Sequence, residues 1–254
     1  WYVLEAAPGA SLVYGFRQDL TRAMLAASLE DDTVEKYLQK VEIHRGDVFL
    51  IESGTVHAIG AGAMIVEIQE SSNLTYRMYD YHRLGKDGRP RELHIAKALD
   101  VVDLRQKPLP EQLQRACEEH DGYSVELLEQ CKYFRTERIH LDTLLSEKQP
   151  ASGVSVSSVQ DMPVDAHEKT VDNASAEMSQ DASSRWMTDE KAVEAVRFST
   201  GPDSFEVLLC VDGSGTLRGE DVELSFRKGD CIFVPADSID LEISGTSELL
   251  KVTC

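Results

Sequence analysis

A single histidine, His57, follows a glycine turn in the stretch GDVFLIESGTVHAIG, residues 46–60. A Gly-Asp pair opens this stretch, an apolar run follows, and a small polar turn that contains Gly54 ends the run. Neutral imidazole is a common ligand of zinc in proteins. A histidine in this position can therefore be a metal ligand, but it can equally lie at the rim of a β-barrel that holds no metal. The stretch alone leaves both interpretations open.

Three further charged side chains could take part in chemistry near this histidine. Arg77 carries a planar cation, which can stabilise negative charge on a reacting oxygen, although it could also simply pair with Asp80 or Glu67. Glu67 lies among apolar residues. Inside a barrel it would be buried, and burial raises the pKa of a carboxyl group as a general base requires; on an ordinary strand it would face water. Arg83 carries a second cation six residues further along the chain.

The stretch around His57 has a second copy near the end of the chain. GDVFLIESGTVH at 46–57 aligns with GDCIFVPADSID at 229–240, because both begin with Gly-Asp, continue with an apolar run and reach a turn at the same offset. Twin motifs with equal internal spacing indicate two copies of one supersecondary unit. Asp240 stands in the second copy where the first has His57, so we expect one barrel with a site and one without.

The pattern of apolar residues predicts the elements that hold these motifs. Strands are predicted within residues 1–16, 41–81, 123–144 and 205–254. Over residues 18–40 the apolar residues recur at helical spacing, which predicts a short helical insertion with a break at two aspartates, Asp31 and Asp32. The sequence therefore predicts a mainly β fold.

Residues 146–190 differ from the rest of the chain in composition. They are rich in Ser, Ala, Asp, Glu and Gln and poor in large apolar residues, so they cannot bury enough surface to offset the entropy lost on ordering. We predict a long flexible acidic linker or insertion here. It would separate a first unit at 1–145, which carries the helical insertion at 18–40, from a second unit at 191–254.

Composition excludes several classes of function. The formal net charge of −19 repels nucleic acid and anionic lipid, and the sequence has no apolar run long enough for a membrane helix. We therefore expect neither nucleic acid nor a membrane as a partner.

Five cysteines without CxxC spacing fit a reducing compartment and predict a cytoplasmic protein. The chain starts without Met, directly on a predicted strand, and we expect that an upstream part is absent. Nothing in the sequence indicates an oligomeric state.

The two copies resemble the cupin motif G-x5-P-x-G-x2-H. The first copy matches at Gly46, Gly54 and His57, and carries Glu52 in place of the proline. The second copy keeps the first glycine and the proline but lacks the histidine. The resemblance implies two cupin-like β-barrels of the jelly-roll type, of which the second has no metal.

The residues that follow His57 carry a more specific resemblance. In order and spacing, residues 54–58, 67–69, 75–83 and 91–94 are similar to the PAGTxHA, E-x-Q, TYR-x-YDY-x-R and RELH blocks of the type I mannose-6-phosphate isomerases, in particular the short bacterial form. This resemblance covers residues 1–104 most strongly.

The resemblance implies an isomerase that interconverts mannose 6-phosphate and fructose 6-phosphate with one zinc ion. It makes His57 a zinc ligand and Arg77 the catalytic arginine, and we add Glu67 as a candidate base and Arg83 as a candidate substrate contact. In that family the other zinc ligands, a Gln-x-His pair and a Glu, precede the matching region, and this sequence lacks them. We therefore expect a carboxy-terminal fragment that is inactive alone.

One alternative function stays open at this point. The chain could be a cupin module that has lost its metal and binds or senses a sugar phosphate. Glu52 favours this alternative because it departs from the cupin motif next to the metal ligand. The intact block around Arg77 favours the enzyme, because a sensor does not need an arginine in that setting.

Overall fold

A computed structural model describes residues 1–72, 74–109, 115–143 and 195–254, and the backbone of 185–187. The described residues form two compact units. One comprises 1–116 with 127–136, and the other comprises 117–126 with 137–254. Most of the predicted linker, 146–190, lies outside the described residues.

Five strands of the first unit form two small antiparallel sheets. β2 lies between β3 and β4, and β1 pairs with β5. The apolar run 48–51 was expected as a strand, but only Val48 forms a bridge, opposite Tyr2, because the run overlaps no more than the start of β1. The bounds are β1 (Tyr2–Ala6), β2 (Ser11–Phe16), β3 (Leu38–Glu42), β4 (His57–Ile59) and β5 (Ala63–Val66).

The helical insertion is shorter than the predicted 18–40. Helix α1 spans Arg22–Glu30, and the side chain of Thr21 caps it by accepting a hydrogen bond from the backbone N–H of Met24 at 3.1 Å. A single 3₁₀ turn, Val34–Lys36, follows the predicted break. The chain then enters β3, since Leu38 pairs with Phe16 and is buried. Tertiary pairing has thus overridden the helical spacing of the last apolar residues. A second helix, α2, spans Ile95–Val101.

Two apolar clusters stabilise the first unit. One lies between α1, α2 and the sheet of β2, and the other packs β1 and β2 against the run that contains Phe49. Leu25, Val34, Phe16 and Phe49 are at most 1% exposed, so the helical insertion is part of the core of this unit and not a surface addition. Neither α1 nor α2 is long and apolar enough to cross a membrane.

The other described strands form one large sheet. The sheet runs in the order β12-β11-β14-β8-β7-β6, β13 adds to β11, and β10 links β14 to β9. β11 and β14 pair along their whole lengths, with a register shift between Cys210 and Asp212. The bounds are β6 (Cys117–His120), β7 (Tyr123–Gln130), β8 (Arg135–Asp142), β9 (Arg185–Met187), β10 (Val196–Ser199), β11 (Glu206–Arg218), β12 (Glu223–Arg227), β13 (Cys231–Val234) and β14 (Leu241–Thr253).

This sheet differs from the predicted boundaries at two places. β6, β7 and β8, which we predicted within 1–145, join the sheet of the carboxy-terminal strands, because β8 lies beside β14 and its Ile139 and Leu141 are buried in the same core as Leu249. β9 lies inside the predicted linker and pairs with β10. The mainly β prediction is confirmed.

Candidate active site

A Gly-Asp turn sets the start of the segment that carries His57. Gly46 has φ +90°, a left-handed conformation that favours glycine. The carboxylate of Asp47 accepts a hydrogen bond from the backbone N–H of His44 at 2.7 Å. The backbone of Val3 brackets the turn, because its carbonyl accepts from Gly46 and its N–H donates to Asp47, both at 2.9 Å. The turn is therefore tied to β1.

The second copy repeats this turn bond for bond. Gly229 has φ +94°, and the carboxylate of Asp230 accepts from the backbone N–H of Arg227 at 2.9 Å. The backbone of Cys210 brackets this turn, with bonds to Gly229 at 2.8 Å and Asp230 at 2.9 Å. The Gly-Asp turn is therefore repeated in the structure, whereas the apolar run that follows it forms a strand only in the second copy.

The copies differ where the first one presents its histidine. Gly54 and Asp237 occupy equivalent positions and both have positive φ, +86° and +59°. At the next equivalent pair, His57 begins β4, whereas Asp240 has φ +54° and lies between strands. The first copy therefore holds its last residue on a strand, and the second holds it in a turn.

A nearby backbone carbonyl group orients the ring of His57. Its Nδ1 lies 2.8 Å from the carbonyl oxygen of Thr55, and because a carbonyl oxygen only accepts, Nδ1 carries the proton. In the neutral ring Nε2 then has a free lone pair, which is the arrangement that metal-binding histidines usually adopt. The ring of Trp1 packs edge-on against His57 at 5.3 Å.

The described residues do not complete a zinc site around this imidazole. No three His, Cys, Asp or Glu side chains within 1–72, 74–109, 115–143 and 195–254 converge on a point where a metal could bind. Zinc in proteins takes three or four protein ligands. His57 fits the role of one such ligand, and its neighbours in this part of the chain do not supply the others.

Glu67 lies directly after β5 and is exposed, which differs from the burial we expected inside a barrel. The register of β1 and β5, with Tyr2 opposite Val66, brings Glu67 beside Trp1. Trp1 is also the residue whose ring contacts His57. Two of the predicted site residues thus share one neighbour.

Arg77 lies in a second group of contacts, with the segment that leads into α2. Its guanidinium donates to the carbonyl oxygen of Glu92 at 3.1 Å, its backbone N–H donates to Nδ1 of His94 at 3.2 Å, and its carbonyl accepts from the N–H of His94 at 2.6 Å. Among the residues described, no carboxylate pairs with Arg77, so the structural pairings with Asp80 or Glu67 that we considered do not occur. Its cation stays available for an anionic group.

Arg83, the candidate substrate contact, is paired with Asp80. Its Nη2 donates to Oδ1 of Asp80 at 2.7 Å and its Nε to the same oxygen at 3.2 Å. Arg91 donates to both oxygens of this carboxylate. The hydrogen bonds from Arg91, followed by those from Arg83, hold the pKa of the buried Asp80 well below its usual range. Asp80 and Arg91 belong to the motif blocks at 75–83 and 91–94, but the sequence did not indicate that they pair.

Glu52, which stands in place of the cupin proline, has a charge partner. Nζ of Lys107 lies 3.1 Å from a carboxylate oxygen of Glu52 and 3.1 Å from one of Asp103. These three residues line a polar cleft of about 360 Å³. Glu52 therefore forms an ion pair at the edge of this cleft, and the sequence alone did not indicate its partner.

Comparison with known proteins confirms the predicted resemblance. Residues 193–254 match the family model described as the cupin domain of mannose-6-phosphate isomerase. A Bacillus subtilis protein described as a putative mannose-6-phosphate isomerase is 27% identical over 250 residues, 98% of this chain and 62% of that protein. The mannose-6-phosphate isomerase of Streptococcus mutans is 43% identical over 107 residues, 41% of this chain and 33% of that protein.

A solved structure shares the fold. The crystal structure of the mannose 6-phosphate isomerase from Bacillus subtilis superposes with a TM-score of 0.69 at 24% sequence identity, and the match covers 99% of this chain and 63% of that one. Together with the family match this confirms a cupin-type fold. The chain spans a little under two thirds of the length of these two Bacillus relatives.

Proposed function

We propose, from the similarity of nearly the whole chain to mannose-6-phosphate isomerases, that the complete protein is an aldose-ketose isomerase. It would interconvert mannose 6-phosphate and fructose 6-phosphate and would need one zinc ion, with His57 as one ligand. The 254 residues themselves would be inactive alone. A cytoplasmic location belongs to the same proposal and is supported by five free cysteines.

The reaction moves a proton between two adjacent carbons through an enediol-like species. It needs a base, a group that stabilises negative charge developing on oxygen, and an anchor for the phosphate. Arg77 supports the second role, because its cation has no carboxylate partner among the described residues. This observation supports the proposed role, because the charge of Arg77 is not already neutralised by a neighbouring acid.

The other roles follow from the exposure and contacts of the remaining candidates. Glu67 is the candidate base because of its place beside Trp1, the residue that contacts His57; its exposed carboxylate lacks the burial that we expected for this role. Arg83 uses Nε and Nη2 for Asp80, and the remaining N–H groups of its guanidinium can donate to a phosphate. Zinc, when bound, supplies polarisation of the carbonyl or alcohol oxygens.

Two forms of the protein test the proposal: the 254-residue chain, and a form extended by the residues encoded upstream. Each is titrated with zinc by calorimetry and assayed for conversion of mannose 6-phosphate. Only the extended form should bind zinc tightly and turn over substrate. Tight stoichiometric zinc with turnover in the 254-residue chain would show that all ligands lie within it and that the proposed ligand set is wrong.

One observation favours a second function: Glu52 stands where the cupin motif has proline, next to the candidate metal ligand. A cupin module without a metal would bind a sugar phosphate and leave it unchanged. In the extended form, this alternative predicts heat of binding for fructose 6-phosphate in the presence of a chelator and no isomerisation with or without added zinc.

A further inference from the structure

A strained turn follows Arg77 by a few residues. Tyr81 and His82 are consecutive and both have φ +52°, the left-handed conformation that L-residues rarely adopt. Neither is glycine, so the turn persists only if its surroundings hold it. We call residues 79–83 the Tyr79–Arg83 turn.

One side of this turn is tied to the helical insertion. The hydroxyl of Tyr79 donates to a carboxylate oxygen of Glu35 at 3.0 Å, and Nε2 of His82 lies 2.8 Å from a carboxylate oxygen of Asp32. Glu35 belongs to the 3₁₀ turn, and Asp32, just before it, itself has φ +56°. Two acids from one short segment therefore contact this turn on either side of Tyr81, at Tyr79 and at His82.

The rings of the turn pack on one another as well. Tyr79 lies edge-on to Tyr81 at 4.9 Å and to His82 at 6.0 Å. Burial, and then the bond to Glu35, raises the pKa of Tyr79 to about 12. Tyr79 therefore stays a hydrogen-bond donor at every physiological pH.

The other side of the turn is tied through Asp80, which accepts from Arg83 and Arg91. Arg91 belongs to the same short segment as Glu92, whose carbonyl accepts from the guanidinium of Arg77. The segment that carries Arg77 is thus held from two directions, by the helical insertion and by the segment that leads into α2.

We propose that Asp32 and Glu35 are positioning residues, which hold the Tyr79–Arg83 turn in its strained conformation and so place the guanidinium of Arg77. The catalytic part of this inference rests on the proposed isomerase function. Asp32 and Glu35 do not contact Arg77 and act only through the turn. Residue displacements of about 1 Å in an active site can cost up to about 100-fold in rate, which sets the scale of the expected effect.

The test uses a double variant, Asp32→Gly with Glu35→Ala, in the extended protein. Glycine removes the carboxylate but tolerates the left-handed backbone at 32, so the variant should still fold. We expect amide hydrogen exchange in residues 77–83 to become at least about tenfold faster, since the strained pair loses what holds it. We expect kcat to fall about 10–100-fold with KM for mannose 6-phosphate within about twofold. Two single variants extend the test. Glu35→Gln keeps an acceptor for Tyr79 and should therefore retain a higher kcat than Glu35→Ala.

Arg22→Ala is the matched control. It removes the contact of Arg22 with Asp100, at 2.7 Å, which also ties the helical insertion to another element but does not touch the turn. Exchange in 77–83 and kcat should both stay unchanged in this variant. A double variant that matches the control in both measurements overturns the inference, as does faster exchange with unchanged kcat.

The two proposals fail in different ways. If the extended protein has no isomerase activity, the proposed function is wrong, and the exchange rates alone decide whether Asp32 and Glu35 hold the turn. If the protein is active and the double variant keeps both its kcat and its exchange rates, the function stands and the positioning role is wrong.

Discussion

His57 donates its Nδ1 proton to the carbonyl oxygen of Thr55, two residues before it, across 2.8 Å. The backbone thereby selects the tautomer that leaves Nε2 able to bind a metal. Loss of a residue that hydrogen-bonds to a metal ligand typically weakens metal binding by about 10–100-fold. We expect His57→Ala, in the extended protein, to weaken zinc binding by more than this, because it removes a ligand itself. Calorimetric titration measures this, and His44→Ala is the control, since the exposed ring of His44 lies at the Gly-Asp turn. Equal zinc affinity in both variants would contradict the role of His57.

Arg77→Ala should lower kcat far more than it raises KM, because the cation is needed mainly once negative charge forms on the substrate. Loss of one such group costs on the order of 10²–10³ in kcat. Steady-state kinetics of the extended protein check this, and Arg83→Ala is the comparison. If Arg77→Ala raised only KM and Arg83→Ala lowered only kcat, the roles of the two arginines would be exchanged.

Asp80 should contribute to stability in a pH-dependent way. Arg91 and Arg83 lower its pKa in the folded protein, below the value of about 3.9 in an unfolded chain. Its contribution is therefore fully present above about pH 4 and is lost as the pH falls through the folded pKa. The difference in unfolding free energy between the protein and Asp80→Asn should be constant from pH 7 to 5 and shrink below pH 4, as measured by urea unfolding.

Arg91→Gln provides the control for Asp80, because it removes the largest cause of the lowered pKa. In this background the loss of stability between pH 5 and pH 3 should be smaller than in the unmodified protein. An identical pH profile in both would show that Arg91 does not stabilise the charged form of Asp80.

A buried ion pair in the second unit should be costly to break. Nζ of Lys251 lies 2.6 Å from a carboxylate oxygen of Glu137, and their side chains are 7% and 8% exposed. Lys251→Met removes a cation from beside a buried carboxylate and should destabilise the protein by more than about 1 kcal/mol. Adding Glu137→Leu should recover most of this loss. Breaking the more exposed pair of Arg197 with Glu242 should cost no more than about 1 kcal/mol. Similar losses for the two pairs, in urea unfolding, would contradict the prediction.

Gly54 should not tolerate a side chain. Its φ is +86°, and a Cβ atom there would lie 2.7 Å from the carbonyl oxygen of Val101. Gly54→Ala combines the left-handed penalty of about 1–2 kcal/mol with this clash. Gly88→Ala has a similar φ of +73° but open space around its Cβ, so it should cost only the backbone penalty. Thermal unfolding compares the two, and equal shifts in Tm would rule out the close approach to Val101.

Sequence patterns predicted local geometry well where a particular backbone conformation favours a particular type of residue. The two Gly-Asp turns were found from their spacing, because a left-handed glycine and an aspartate that accepts from the backbone are requirements of the turn itself. The break near Asp31 and Asp32 was found for the same kind of reason. Helical spacing failed at Leu38, because its pairing with Phe16 is a tertiary contact that no local pattern contains.

The sequence did not predict which charged side chains pair with one another. Glu52 looked like a departure from a motif, and its partner Lys107 comes 55 residues later in the chain. Several arginines lie near Asp80 in the sequence. In the structure Asp80 accepts hydrogen bonds from Arg83 and Arg91, whereas Arg77 donates to the carbonyl oxygen of Glu92. Glu67 was expected to be buried, yet it is exposed beyond the end of β5.

The sequence by itself determined the mainly β fold, the repeated turn and the resemblance to mannose-6-phosphate isomerases, because alternation of apolar residues, glycine positions and short motifs are local properties. Only the tertiary structure decided which sheet β6, β7 and β8 join, which carboxylate each arginine contacts, and that Asp32 and Glu35 hold the Tyr79–Arg83 turn. Strand partners and ion pairs between distant residues depend on how the whole chain packs, and many pairings are compatible with the same local pattern.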